Sequence, residues 1–206
     1  MADPYLPREP DLPAGTGAAA KTALRDRLLT TRRRRPLAEV GEAGRAIARH
    51  LLATEEVRRA ATVAAYVSRG AEPGTGHLLA ALRAAGTRVL LPVLLPDGDL
   101  DWGEYTGDEC LVAAGRGLLE PSGRRLGVEA VATADVVLVP GLAVSRTGLR
   151  MGRGGGSYDR ALARVPVGTF TCVLLHDDEL GLDVPAEPHD RSVVAAASPA
   201  GITRLA

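Results

Sequence analysis

Five short apolar runs constrain the fold more than any other feature: TVAAYVS (62–68), RVLLPVLL (88–95), VVLVPGLAV (136–144), GTFTCVLLH (168–176) and VVAAAS (193–198). None alternates polar with apolar positions. A strand that is apolar throughout has no face to offer water, so these runs predict strands covered on both sides. Helix-period segments lie between them, at 75–86, closed by Gly86, and at 157–165. Buried strands alternating with helices predict an α/β fold: a mainly parallel sheet flanked by helices in a Rossmann-like three-layer arrangement. VVAAAS reads as the last strand. Residues 97–135, frequent in Gly, Asp and Glu, predict loops with short strands.

Two helices come before the first strand. From Lys21 to Arg35, Leu24, Leu28 and Leu29 share a face. The RRRR run at 32–35 suits a helix C-terminus, where cations complement the dipole, and Pro36 stops the helix. The second runs from Leu37 to Ala53, with Val40, Ile47, Leu51 and Leu52 as core candidates. Residues 1–17 carry prolines at 4, 7, 10 and 13 and predict an extended, disordered tail. Residues 18–206 then form a single domain.

The 25 basic and 25 acidic side chains cancel. That balance gives no global electrostatic case for nucleic acid or an acidic membrane, so any anion site must be built locally. No apolar run reaches the length of a membrane span, and no basic stretch followed by an apolar one opens the chain. Cys110 and Cys172 show no metal or redox spacing and read as thiols of a reducing compartment. The expectation is a cytoplasmic monomer without nucleic-acid or membrane partners. One detail stands apart: of the 25 basic residues only Lys21 is lysine. It either marks a site needing a compact ammonium or survives by chance.

A local anion site is written in GLRMGRGGGSYDR (148–160), which follows the third apolar run and precedes a helix. Glycines let backbone N–H groups approach phosphate oxygens closely, and Arg150 and Arg153 add full charges. The segment is neither a Walker A loop nor a dinucleotide fingerprint: Gly152, Gly154 and Gly156 give G-x-G-x-G. Asp159 suits either a helix cap or a magnesium ligand, and spacing does not choose between them.

PGLAVSRTGLRMGRGGGSYDR resembles the signature of the 5-formyltetrahydrofolate cyclo-ligase family, also called 5,10-methenyltetrahydrofolate synthetases. KTALRDRL, AAYVSRGAEPGT, RVLLPV, GLLEP and PAEPHD resemble further family landmarks in the family's order, from about Lys21 to Ala200. The resemblance implies an α/β fold related to sugar-phosphate isomerases and CoA transferases. It also implies ATP- and Mg²⁺-dependent cyclisation of 5-formyltetrahydrofolate to the 5,10-methenyl form, through phosphorylation of the formyl oxygen. ATP would be bound by Lys21, Arg25, Arg150 and the loop Gly152, Arg153, Gly154, Gly155, Gly156, Ser157 and Tyr158, with Lys21 and Arg150 as the catalytic charges. Asp159 and Asp190 would hold the metal, and Val67 and Glu72 the folate. Ser145, Ser157 and Val194 depart from the family pattern and motivate the alternative, a non-catalytic homologue that binds folate or nucleotide.

Overall fold

The computed structural model describes residues 15–206, so most of the expected tail lies outside the described residues. Helix α1 (Gly15–Arg33) starts earlier than expected, because Ala18–Ala20 are strong helix formers and extend it backwards into the segment assigned to the tail. Helix α2 (Leu37–Ala53) has the expected bounds, and Pro36 sets the break before it. A short α3 (Glu55–Arg59) was not anticipated. The remaining elements are β1 (Thr62–Ala64), α4 (Gly76–Ala84), β2 (Arg88–Leu94), β3 (Leu100–Glu104), β4 (Leu111–Ala114), β5 (Leu118–Pro121), β6 (Val136–Pro140), β7 (Ala143–Val144), β8 (Arg150–Met151), α5 (Ser157–Ala163), β9 (Phe170–Leu174), β10 (Ala195–Ser198) and β11 (Gly201–Arg204).

Seven strands form the central sheet in the order β11-β10-β9-β6-β1-β2-β3. The inner neighbours pair in parallel, and the two outer pairs, β10 with β11 and β2 with β3, are antiparallel. Successive residues of β6 point to opposite faces. Val136 and Leu138 enter a core with Leu51, Leu78 and Leu82 of α2 and α4, while Val137 and Val139 enter another with Trp102, Val131 and Leu162. This gives the expected three layers. Among the described residues no helix is long and apolar enough to cross a membrane.

Three expectations need correction. The run 136–144 is not one strand: β6 ends at Pro140, and β7 pairs with β8 in a separate ribbon. A Cβ on Gly141 would lie 2.5 Å from Val173 Cγ2, so the chain presses against β9 there and then turns away. The run 62–68 leaves the sheet after β1, because Ser68 and Thr75 close a turn by exchanging backbone-to-hydroxyl hydrogen bonds at 2.9 and 3.0 Å. VVAAAS is not last, since β11 follows it. Most of β11 is half-buried or exposed, which removes the apolar signal.

Packing of α2 reaches the site through Gly44. A Cβ there would stand 2.5 Å from the Gly74 carbonyl oxygen, a backbone atom of the turn that carries Glu72. Gly44→Ala should therefore destabilise the fold by about 1–3 kcal/mol, read as a lower denaturant midpoint.

Candidate functional site

A cavity of about 630 Å³ opens beyond the carboxyl ends of β1 and β6, where open parallel sheets bind ligands. Every site residue expected from the sequence lines it: Lys21, Arg25, Val67, Glu72, Arg150, the loop from Gly152 to Asp159, and Asp190. Helix α1 carries Lys21 and Arg25 four residues apart on one face, Lys21 against the segment 187–190 and Arg25 against the loop between β8 and α5.

The expected cations do not stand free. Lys21 Nζ donates to Asp190 Oδ1 and Oδ2 at 2.8 and 2.7 Å and to Glu187 Oε2 at 2.7 Å. Burial alone would lower the Lys21 pKa, but Asp190 and Glu187 outweigh it and hold it above its ordinary value. Arg150 is 3% exposed; its Nη2 donates to Asp159 Oδ1 at 3.0 Å and its Nη1 to the Pro140 carbonyl at 3.2 Å. Arg153 Nε donates to Glu72 Oε1 at 3.2 Å. Three expected phosphate cations are thus each paired with a carboxylate expected to serve metal or folate. Arg25 instead donates to the Gly152 carbonyl at 3.2 Å.

Loop geometry explains the glycines. Gly154 and Gly156 have φ of 96° and 66°, the left-handed region that other residues enter at a cost. Helix α5 is shorter than expected, ending at Ala163, and spans only seven residues, so the loop's capacity for anions rests on its side-chain cations and backbone rather than on a helix dipole. Asp159 makes no cap. It accepts from Arg150 and from the Arg191 backbone N–H at 3.2 Å, which brings it beside the segment carrying Asp190.

The other end of the cavity is apolar. Val67, Leu94, Leu118, Leu119 and the rings of Tyr66 and Tyr158 line it. Leu118 and Leu119 belong to the β4–β5 hairpin, whose turn residue Arg116 sits at φ 61°. Arg69 Nη1 pins that turn by donating to the Arg116 carbonyl at 2.6 Å. Glu120 lies in β5 and accepts from the Leu94 N–H at 3.0 Å. Burial pushes both phenols well above their ordinary pKa, so they stay neutral. The Tyr66 hydroxyl has no hydrogen-bond partner among the described residues.

Sequence reasoning missed several groups. Glu187 and His189 each offer a ligand atom within 4.8 Å of one on the expected ligand Asp190. The first lies in PAEPHD, where an acid three residues before Asp190 was the available signal. Arg32 was read as a dipole partner, yet it is 2% exposed and pairs with Glu179. His176 closes the fourth apolar run, and the acidic residues Asp177, Asp178 and Glu179 follow it. Only Asp177 and Asp178 are exposed, while His176 is 4% exposed and bonds the Ala71 carbonyl at 3.0 Å. Burial lowers its pKa below the ordinary 6.5. Below that value the unfolded chain binds the proton more readily than the folded one, so stability is lost as pH falls from 6.5 towards the folded value. Denaturant midpoints at roughly pH 7.5 and 5.5 should differ in wild type and converge in His176→Gln.

Comparison with known proteins agrees with the geometry. The model of the 5-formyltetrahydrofolate cyclo-ligase family matches residues 17–199. A 5-formyltetrahydrofolate cyclo-ligase of Mycolicibacterium smegmatis is 46% identical over 143 residues, 67% of this chain and 73% of the relative. One from Escherichia coli is 33% identical over 169 residues, 78% and 90%. The NMR structure of Aquifex aeolicus 5,10-methenyltetrahydrofolate synthetase shares the fold with a TM-score of 0.77, covering 90% of this chain and 92% of that one at 24% identity.

Proposed function

Since the chain belongs to the 5-formyltetrahydrofolate cyclo-ligase family, we propose that its cavity uses ATP and Mg²⁺ to close 5-formyltetrahydrofolate into 5,10-methenyltetrahydrofolate, releasing ADP and phosphate. The observation that carries this reading is the joining of two unlike halves in one cavity. One half holds Lys21, Arg25, Arg150 and Arg153; the other is an apolar wall ending at the buried carboxylate of Glu72.

The polar half suits the triphosphate. Lys21 and Arg150 neutralise charge on the transferring phosphoryl group, and Arg25, Arg153 and the loop Gly152 to Tyr158 orient it. The formyl oxygen attacks the γ-phosphorus as the bond to ADP breaks. N10 then adds to the activated carbon and loses its proton, and the C–O bond breaks to release phosphate. Positioning is the protein's main contribution. Val67 and the hairpin leucines cover the pteridine side, and Glu72 holds a polar edge of the folate.

The acidic groups fit a hard divalent cation: Asp159 and Asp190 offer carboxylate oxygens, and the cluster at Asp190 already draws an ammonium to within 2.7 Å. Asp159 and Asp190 would hold Mg²⁺, which when bound withdraws charge from the phosphate oxygens. In the free protein, Lys21 and Arg150 occupy these carboxylates. When the two cations turn to phosphate oxygens, they release the carboxylates for the metal. Arg153 likewise releases Glu72 for the folate.

Two free thiols, Cys110 and Cys172, favour the cytosol, and we assign the working form to a monomer there. The test mixes the protein with MgATP and 5-formyltetrahydrofolate. The methenyl absorbance band should rise in step with ADP. A folded protein at high concentration that makes neither product would sink the reading. Binding without ADP formation would mark the non-catalytic homologue instead.

A further inference from the structure

Arg32 and Glu179 lie outside the cavity and are 2% and 1% exposed. Arg32 Nε donates to Glu179 Oε1 at 2.7 Å, and Nη2 donates to Oε2 at 2.6 Å and to the Gly141 carbonyl at 2.7 Å. Glu179 Oε2 also accepts the His176 backbone N–H at 2.9 Å. Burial disfavours the Arg32 charge, but Glu179 outweighs it, and the guanidinium stays protonated.

One end of this network reaches the cavity wall at Gly141, and the other stops one residue short of Glu72. Gly141 follows Pro140, whose carbonyl holds Arg150 at 3.2 Å. His176 bonds the carbonyl of Ala71, which precedes Glu72. Along α1, Lys21, Arg25, Leu28 and Arg32 are spaced four, three and four apart and form one stripe. Lys21 and Arg25 meet the site, Leu28 packs with Leu142, Ala143 and Met151, and Arg32 closes the far end of the stripe.

A buried ion pair is seldom more stabilising than apolar side chains of the same volume. What a guanidinium fork on a carboxylate adds is a defined angle as well as a distance. We propose that the Arg32–Glu179 pair is a positioning device: it fixes the rotation and axial register of α1, and so the placement of Lys21 and Arg25, and through His176 it steadies the turn that carries Glu72. The inference rests on the function proposed above, because that reading gives Lys21 and Arg25 their task.

The test removes the angle while keeping the volume. R32M/E179M also leaves the Gly141 carbonyl and the His176 N–H without their side-chain partners, so it should fold with a lowered thermal midpoint and lose about 100-fold in kcat/KM for ATP, as expected for a misplacement near 1 Å. On a Lys21→Met background the same pair of changes should cost clearly less than about 100-fold, because the share that acts through Lys21 is already lost while the shares through Arg25 and Glu72 remain. A folded R32M/E179M with wild-type kcat/KM, or a full loss repeated on the Lys21→Met background, would overturn the proposal. Should the pair fail to fold, Arg32→Lys keeps the charge but loses the fork; about tenfold lower kcat/KM with an unchanged midpoint supports the device, and unchanged activity overturns it. If wild type shows no cyclisation, the function has failed rather than the anchor. Hydrogen exchange along residues 15–33 then decides without substrate: faster exchange in Arg32→Lys supports the anchor, and unchanged exchange overturns it.

Discussion

Lys21→Met should lower turnover by about 100- to 1000-fold, the usual loss when one preorganised charge is taken from a transferring phosphoryl group. The same substitution should tighten the binding of Mg²⁺ in the absence of nucleotide. The second effect follows from where the ammonium rests. Lys21 Nζ touches both oxygens of Asp190 and one of Glu187, at 2.7 to 2.8 Å, and so competes with any cation for them. Methionine keeps most of the stem and removes the competitor. Calorimetry with Mg²⁺ alone reads the second effect, and the coupled assay of methenyl product and ADP reads the first. Unchanged turnover would remove Lys21 from the phosphoryl transfer. Unchanged Mg²⁺ affinity would take Asp190 out of the metal site.

Arg150→Ala should cost at least about 100-fold in kcat/KM for ATP, whereas Arg33→Ala should leave it within about twofold. Arg150 is 3% exposed, reaches from the Pro140 carbonyl to Asp159, and keeps Nε without a partner among the described residues. That donor is already desolvated, so a phosphate oxygen accepting from it meets little competition from water. Arg33 is exposed on the last turn of α1. Steady-state kinetics at varied ATP separate the two. Equal losses would mean that arginine charge in general, rather than the placed guanidinium, serves the nucleotide.

The parallel strands were readable because burial on both faces removes polar positions, all of them in β6 and all but Thr171 in β9. The edges were not. β11 is half-buried or exposed, and β3 mixes Asp101 and Glu104 with Trp102, so neither shows a continuous apolar run. The break at Pro140-Gly141 had its signal in the dipeptide, but the apolar residues on both sides outweighed it. In the site, Lys21 was legible as a lone lysine on a helix, and the loop by its glycines. The pairing of Lys21 with Glu187, or of Arg153 with Glu72, joins residues far apart in the chain, and no local pattern encodes which carboxylate meets which cation. Arg32 is the instructive case. Its spacing from Lys21, Arg25 and Leu28 placed it on the inward stripe, yet its neighbours in the RRRR run suggested a solvated terminus.

Pairing of charges inside the cavity also bears on how the nucleotide arrives. Six cationic side chains line it, Lys21, Arg25, Arg69, Arg116, Arg150 and Arg153, against five carboxylates. From a Debye length away these nearly cancel, and the chain as a whole is neutral. A polyanion therefore diffuses in without being drawn, and its encounter rate should depend only weakly on ionic strength. The attraction is spent at contact, once the internal partners part, so tight binding here is a matter of slow departure rather than fast capture.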